Sequence, residues 1–193
     1  MPVTRCQWAT ASPLEQQYHD SEWGVPLHDD RKLFEFLILE GAQAGLSWST
    51  ILNKREGYRA AFNNFDAEKI AAYDDHKIRQ LLANPAIVRN RLKVNAAVTN
   101  ARIYLEIMQQ SGGFSEWVWK FVDGEPVNND FHNMEDVPAN TPRSDLMARE
   151  MKKRGFKFVG TTICYAFMQA TGMVNDHTTD CYRWREIAGI SES

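Results

Sequence analysis

DHKIRQLLANPAIVRNRLKVNAAVTNARIYLEIMQQ, residues 75–110, contains the longest helical pattern in this chain of 193 residues. Apolar residues return every three or four positions in both halves of the stretch, which predicts one helix over 75–83 and a longer one over 90–110. Asn84-Pro85-Ala86 interrupts the pattern, and Gly112-Gly113 ends the second helix. We therefore expect the longer helix to be the central helix of the fold.

Further helical patterns, with capping residues at their starts and glycine after several of them, cover most of the remaining chain. No segment shows the alternation expected of a β-strand, and residues 123–142 are predicted to be an irregular connection. The chain is therefore predicted to be all-α and to form one helical domain over residues 1–193. The predicted helices run from Asp29-Asp30 to Glu40 (ended by Gly41), from Ser47, from Asp66 to Ala72, from Ser115 to Val122, from Thr141-Pro142 to Gly155, and from Thr161 to Thr171.

Composition indicates the setting in which the chain works. No run of about 18 apolar residues could cross a membrane, and the N-terminus lacks a basic start with an apolar stretch, so we expect a cytoplasmic protein. The net charge of −3 does not favour nucleic acid as a partner. Basic clusters at Lys54-Arg55, 89–93 and 152–157 could nevertheless line one surface along a phosphate backbone, although charge runs are most often solvated.

Two pairs of metal-ligating residues lie at opposite ends of the sequence. Cys6 and His19 are near the start, and His177 and Cys181 are near the end. Two cysteines and two histidines form a complete ligand set for tetrahedral zinc, and three cysteines do not make a disulfide framework. The spacing from His177 to Cys181 predicts one face of a helical turn, whereas the Cys6–His19 spacing is loose enough to arise by chance.

Four aromatic residues lie beside loops, glycines or charged residues instead of within apolar runs: Trp8, Tyr18, Trp23 and Trp48. Each could be an ordinary buried residue, but together they suggest a pocket in which a planar ring stacks. Glu40 ends the apolar segment LFEFLILE, at the pole of a helix that disfavours a carboxylate. In an aromatic pocket it could accept a hydrogen bond from an exocyclic amine and attract a cationic ring, although a solvated helix end is the simpler alternative.

The stretch 75–110 also resembles a helix-hairpin-helix unit, which presents backbone amides and basic side chains to DNA phosphates. Plain packing of two helices is the alternative, because Ala86 and Leu92 occupy positions where such hairpins commonly use glycine.

Four longer strings closely resemble those of the DNA-3-methyladenine glycosylase I family: YHDSEWGVP (18–26), LEGAQAGLSW (39–48), KKRGFKFVGTTICY (152–165) and VNDH (174–177). The resemblance spans roughly residues 5–181. It implies a helix-hairpin-helix DNA glycosylase fold, with two helical lobes that share one base pocket and termini held by a structural zinc ion.

The resemblance also implies a role for each candidate residue. The zinc ligands would be Cys6, His19, His177 and Cys181. The base would stack on Tyr18 and Trp48, with Trp8 and Trp23 shaping the pocket, and Glu40 would be the carboxylate that recognises it. The contacts to the DNA backbone would come from Arg89, Arg91 and Lys93. One departure is that Glu15-Gln16-Gln17 stands where a relative has a pocket tyrosine, which leaves open whether 3-methylguanine is also accepted.

The implied activity is extrusion of 3-methyladenine from double-stranded DNA and hydrolysis of its N-glycosidic bond, which leaves an abasic site and the free base. We expect monofunctional hydrolysis, because no lysine is convincingly placed to form a Schiff base. We also expect a monomer. A zinc-stapled module that binds the lesion without turnover is the alternative. A zinc-dependent deaminase lacks its H-x-E and C-x-x-C spacings here, and a purely structural interaction protein would leave Glu40 unexplained.

Overall fold

A computed structural model describes residues 3–110 and 112–190, so the outermost residues of the predicted domain and Ser111 lie outside it. The described part is mostly helical with almost no strand, and none of its helices is long and apolar enough to cross a membrane. Its α-helices are α1 (Pro13–Ser21), α2 (Asp30–Gln43), α3 (Trp48–Ala61), α4 (Ala67–Ala71), α5 (Asp75–Ala83), α6 (Arg91–Met108), α7 (Gly113–Trp119), α8 (Pro142–Arg154), α9 (Thr161–Ala170) and α10 (Tyr182–Ile187). Short 3-10 helices cover Gln7–Thr10, Asn63–Phe65, Lys120–Val122 and Met134–Asp136.

The two helices predicted from residues 75–110 are confirmed as α5 and α6. Asn90 caps α6, since its side chain accepts a hydrogen bond from the backbone N–H of Lys93. The predicted caps at the starts of four other helices are confirmed in the same way: Asp29, Ser47, Asp66 and Thr141. Gly155, in the left-handed conformation with φ of 99°, ends α8 as predicted.

Two helix boundaries and one additional helix differ from the predictions. Helix α2 does not end at Gly41 but continues to Gln43, because Gly41 is buried against Phe158 and this packing outweighs the cost of about 1 kcal/mol that glycine imposes on a helix. Helix α7 begins at Gly113 and not at Ser115. Helix α1, which carries two predicted site residues, was not predicted as a helix from the sequence.

A pair of two-residue strands also departs from the purely helical prediction. Val127–Asn128 (β1) pairs in parallel with Val174–Asn175 (β2) and ties the segment predicted to be an irregular connection to the C-terminal part of the chain. Strands of this length contain no repeat from which alternation could be recognised.

Helix α2 lies at the centre of the core. Every residue from Leu33 to Ala42 is buried, and the helix packs against α3, α6, α7 and α9. Helix α6 in turn packs against α4 and α5. Because α2 is enclosed from Leu33 to Ala42, Glu40 in its last two turns lies in the protein interior.

The turn between α5 and α6 packs against α3. A Cβ atom added at Gly57 would lie 2.4 Å from the carbonyl oxygen of Ala86, so only glycine permits this approach. Lys54 Nζ donates a hydrogen bond to the carbonyl of Pro85 (2.7 Å), and Val88 N–H donates one to the hydroxyl of Tyr58 (3.2 Å). The hairpin is thereby held on the helix that begins with Trp48, and Lys54 is engaged within the molecule.

Arg55, the other member of that basic cluster, is also engaged internally. It is buried and forms ion pairs with Glu22 (2.8 Å) and Glu35 (2.9 Å). The predicted basic surface therefore does not include the side chain of Arg55.

Candidate active site and metal centre

A cavity of about 270 Å³ brings together the aromatic residues and the carboxylate singled out from the sequence. The 3-10 helix at Gln7–Thr10 and helix α1 supply one wall, and the end of α2 with the start of α3 supplies another. The cavity is lined by Trp8, Glu15, Tyr18, Trp23, Glu40, Gln43, Trp48, Met134, Ala166 and Gln169. All five predicted pocket residues are among these.

The aromatic rings form a continuous wall. The centroids of Tyr18 and Trp48 are 5.3 Å apart, with ring planes inclined at 41°. Trp8 lies 6.3 Å from Tyr18 and 5.1 Å from Trp23. A base held between Tyr18 and Trp48 would need roughly 7 Å between parallel rings, about two contact distances. The pair as observed forms a corner of the wall, in which Tyr18 is buried and Trp48 keeps part of its surface open.

Glu40 is the only carboxylate buried within this wall among the described residues, with 3% of its surface exposed. Its side chain forms no hydrogen bond or ion pair with them, and burial raises the pKa of its carboxyl group to about 8. Burial, followed by the nearby Glu40, likewise raises the pKa of Tyr18 well above its usual value. With this pKa Glu40 is mostly a neutral acid at pH 7, and a cation beside it would favour its ionised form.

A second carboxylate, Glu15, lies at the position where the sequence departs from a pocket tyrosine. It lines the cavity and accepts a hydrogen bond at 2.8 Å from the hydroxyl of Ser12, the residue that caps α1. The aromatic wall is thus replaced at this point by a partly buried acidic side chain.

Four lining residues were not identified from the sequence: Gln43, Met134, Ala166 and Gln169. Gln169 Nε2 donates a hydrogen bond to Asp176 (2.8 Å), which also accepts one from Tyr165 (2.6 Å). A helical period places Ala166 and Gln169 on one face of α9, but nothing in the sequence indicates what that face contacts. Met134 comes from the segment predicted to be an irregular connection.

The three predicted DNA-backbone residues have different surroundings. Arg89 and Arg91 are exposed at the start of α6. Lys93 instead points inward, and its Nζ donates hydrogen bonds to the carbonyl oxygens of Ala42 (2.7 Å) and Ala44 (2.6 Å). Partial burial lowers the pKa of Lys93. Its ammonium group satisfies the C-terminal carbonyls of α2, one turn beyond Glu40, where a cation also complements the helix dipole.

The four predicted metal ligands form one buried cluster: Cys6, His19, His177 and Cys181, with ligand atoms all within 4.8 Å of one another. Nδ1 of His177 lies 3.2 Å from Nε2 of His19. Each nitrogen also lies 3.4–3.6 Å from a cysteine sulfur. The group could therefore bind a metal ion.

Neighbouring groups orient both histidines for this purpose. Nε2 of His177 donates to the carbonyl oxygen of Trp23 (3.0 Å), and Nδ1 of His19 donates to Asp20 (2.8 Å). The opposite ring nitrogen of each histidine is thereby left as an acceptor facing the cluster. Arg5, which is hydrogen-bonded to Asp20, holds the pKa of that carboxyl well below its usual range.

The two thiols influence each other's pKa. The hydrogen bond between them lowers the pKa of Cys181 and raises that of Cys6, and burial adds to the rise at Cys6. Because thiolates are the form of cysteine that binds metal, a bound cation would release any thiol proton from the cluster.

The prediction that His177 and Cys181 share a helical turn is wrong. The chain leaves β2 at Asn175, makes a turn in which Cys181 N–H donates to the carbonyl of Thr178 (2.8 Å), and becomes helical only at Tyr182. The turn, and not a helix, brings the two side chains to the same point.

An enzyme that removes a base from DNA must hold the extruded base outside the duplex, and an aromatic cavity with one buried carboxylate meets this need. The fold and the site are thus those of a DNA glycosylase. The family model for methyladenine glycosylase matches residues 8–184. DNA-3-methyladenine glycosylase 1 of Escherichia coli K12 is 49% identical over 179 residues, which cover 93% of this chain and 96% of the relative. The chain therefore belongs to the methyladenine glycosylase family and is a base-excision repair glycosylase.

Solved structures of 3-methyladenine DNA glycosylases are also similar to this chain. A crystal structure of 3-methyladenine DNA glycosylase I is 52% identical, with a TM-score of 0.91 over 93% of this chain and 98% of the relative. A structure concerned with 3-methyladenine recognition by the Staphylococcus aureus enzyme is 37% identical, with a TM-score of 0.89 over 93% of this chain and 96% of the relative. The alternatives of a lesion-binding module without turnover, a deaminase or a structural protein are not supported.

Proposed function

We propose that the chain extrudes 3-methyladenine from double-stranded DNA into the aromatic cavity and hydrolyses its N-glycosidic bond there. The observation that carries this proposal is the buried carboxyl group of Glu40, unpaired among the described residues, within a wall of aromatic rings. Such a site offers a stacking surface and a buried acidic group, which together suit a planar cationic ring.

The partly open face of Trp48 is the stacking surface, and Tyr18 closes the corner behind it. A base stacked on one aromatic face gains about 1–3 kcal/mol, and an electron-poor ring gains most. Trp8 and Trp23 complete the wall, and their 5.1 Å centroid separation fixes its shape.

Glu40 recognises the amine edge of the base. Methylation at N3 gives the adenine ring a positive charge in the nucleotide, so arrival of the ring converts Glu40 from the neutral acid to the carboxylate. The carboxylate then accepts a hydrogen bond from the exocyclic amine, which guanine lacks at the corresponding position. The same charge stabilises the developing positive charge on the sugar.

Hydrolysis needs little further help, because 3-methyladenine leaves as a neutral base and requires no proton. Among the described residues no lysine lines the cavity, which supports direct attack by water over a Schiff-base route. The products are the free base and an abasic site.

Release of free bases from methylated duplex DNA, separated by chromatography, tests this proposal, with unmethylated DNA as the control. We expect rapid release of 3-methyladenine, and any 3-methylguanine released defines the breadth of selectivity. Glu40→Gln should lose both excision and binding of the free base. If the variant bound the free base as tightly as the wild type, the recognition role of Glu40 would be wrong.

DNA contact is supported for Arg89 and Arg91, which are exposed at the hairpin. Lys93 acts differently from the expectation, as a group that fixes the end of α2. Replacing Arg91 by Ala should reduce the slope of log K against log salt by about 0.9, the value for one lost phosphate contact. An unchanged slope would remove Arg91 from the DNA interface.

We propose zinc as the metal of the Cys2His2 cluster. Bonds of about 2.0–2.3 Å at a tetrahedral centre place ligand atoms roughly 3.3–3.8 Å apart. The separations of 3.2 Å between the two histidine nitrogens and 3.4–3.6 Å between nitrogen and sulfur fit this arrangement. Four protein ligands leave no position for an activated water, so the ion is structural and holds the two ends of the chain together.

Metal analysis of the purified protein and measurement of excision after metal removal test this assignment. We expect one zinc ion per chain, with lower stability but residual excision once it is removed. Complete loss of excision by a chain that keeps its fold would contradict a structural role. We further propose a monomer consisting of one domain, in which two helical lobes share the base cavity.

A further inference from the structure

The charged residues that line the cavity are all acidic. Two carboxylates, Glu15 and Glu40, are among its lining residues, and no described lysine, arginine or histidine is. Neither carboxylate forms an ion pair with a described residue. A ligand with a positive charge is therefore favoured at this site by electrostatics before any specific contact is made.

The two carboxylates have different surroundings. Glu40 is enclosed by the core, and burial raises its pKa to about 8, so it contributes little charge to the empty cavity at pH 7. Glu15 is only partly buried and keeps contact with water. The hydroxyl of Ser12 donates a hydrogen bond to its carboxyl group at 2.8 Å, a contact that fixes its position at the wall.

We propose that Glu15 is a specificity-determining residue, which supplies the negative charge by which the cavity selects a cationic base over an uncharged one. This inference rests on the proposed function. In the nucleotide, 3-methyladenine is positively charged, whereas adenine and the free product base at neutral pH are not. Glu15 thus attracts the substrate but not the intact base, and its attraction ends when the glycosidic bond breaks.

Binding of free 3-methyladenine tests this role without DNA, because the base is a cation at mildly acidic pH and neutral at mildly alkaline pH. Calorimetric titration would compare the wild type with Glu15→Gln, which keeps the side-chain length and can still accept the Ser12 hydrogen bond. We expect Glu15→Gln to bind the cation about fivefold more weakly, the size of one partly screened charge interaction, and the neutral base equally well.

Two further variants make the comparison specific. Glu15→Asp keeps the charge and should bind the cation more tightly than Glu15→Gln. Glu106→Gln removes the same charge from an exposed position on α6 outside the cavity and should change neither affinity. Glu40 and Tyr18, the other titratable groups lining the cavity, are present in every protein compared, so each comparison at one pH differs only in residue 15 or residue 106.

An equal loss of affinity for both forms of the base would overturn the proposal and give Glu15 a purely structural role. Failure of Glu15→Asp to recover cation binding would do the same. Excision of 3-methyladenine from DNA by the wild type is measured alongside. Its absence would refute the proposed function, whereas normal excision with charge-independent binding would refute only the role of Glu15.

Discussion

Replacing Glu40 by Gln is expected to stabilise the fold, and to do so increasingly as the pH rises. The carboxyl group of Glu40 ionises near pH 4.5 in the unfolded chain, whereas burial raises its pKa in the folded protein to about 8. Below pH 4.5 both states hold the proton, and the residue has no pH-dependent effect. Between these values only the unfolded state releases the proton, so the stability of the wild type falls as the pH rises.

The size of the loss in stability follows from the difference between these two pKa values. At about 1.4 kcal/mol per pH unit, the wild type loses about 3 kcal/mol by pH 7 and on the order of 5 kcal/mol by the pH at which the folded carboxyl group has ionised. Gln has nearly the same shape as the neutral acid and does not titrate. The variant should therefore match the wild type near pH 4 and exceed it by these amounts at higher pH.

Urea unfolding followed by tryptophan fluorescence at a series of pH values measures this difference in the free energy of unfolding. Glu106→Gln serves as the control for the loss of an exposed carboxylate. Metal binding also depends on pH, but it is common to all three proteins and cancels in the differences. A gain in stability that stayed the same from acidic to alkaline pH would refute the assignment of a raised pKa to Glu40.

Three other changes have defined outcomes. Gly57→Ala should lower the free energy of unfolding by about 1–3 kcal/mol, because the added Cβ would lie 2.4 Å from the carbonyl oxygen of Ala86. Urea unfolding measures this difference. No loss of stability would mean that the turn between α5 and α6 moves away from α3 without cost. Lys93→Met removes two hydrogen bonds to the end of α2, so it should lower the melting temperature and slow excision. The salt dependence of DNA binding should stay unchanged. A smaller slope of log K against log salt would instead make Lys93 a phosphate contact. Tyr165→Phe deletes the hydroxyl that donates a hydrogen bond to the buried Asp176, so it should lower the free energy of unfolding by about 1–3 kcal/mol. Thermal unfolding measures this, and an unchanged melting temperature would contradict a stabilising role for that hydrogen bond.

Local sequence signals accounted for most helices because their information lies within the helix itself. Asn90 caps α6 and Ser47 caps α3 through contacts with residues three positions away, which a sequence displays directly. The end of α2 was misplaced because Gly41 is held in the helix by Phe158, a residue remote in sequence. The β1–β2 pair depends wholly on a remote partner and left no local signal.

The sequence predicted several of the residues that line the site but not how their side chains are oriented. The setting of Tyr18, Trp48 and Glu40 in the sequence suggested a pocket, the family resemblance implied their roles, and the cavity contains all three. The orientation of Lys93 was not accessible, because a lysine beside two arginines has the same sequence pattern whether it faces solvent or the carbonyls of another helix. The close, inclined arrangement of Tyr18 and Trp48 likewise depends on how α1 and α3 meet.

The proposed metal centre and the proposed base cavity are adjoining parts of one structure. Tyr18 directly precedes the candidate ligand His19, and the carbonyl of Trp23 accepts the hydrogen bond that orients His177, whose ring lies 4.6 Å from the ring of Trp23. Loss of the metal would therefore disturb the wall formed by α1 and Trp23 while leaving Glu40 fixed within the core helix α2.

Removal of the metal should accordingly weaken binding of the free base and reduce excision in the same proportion, because stacking is impaired while the carboxylate stays in place. Parallel titrations of the metal-bound and metal-free protein with 3-methyladenine, together with excision assays, measure the two losses. A large loss of excision without loss of base affinity would show that the metal affects the chemical step and not the shape of the cavity.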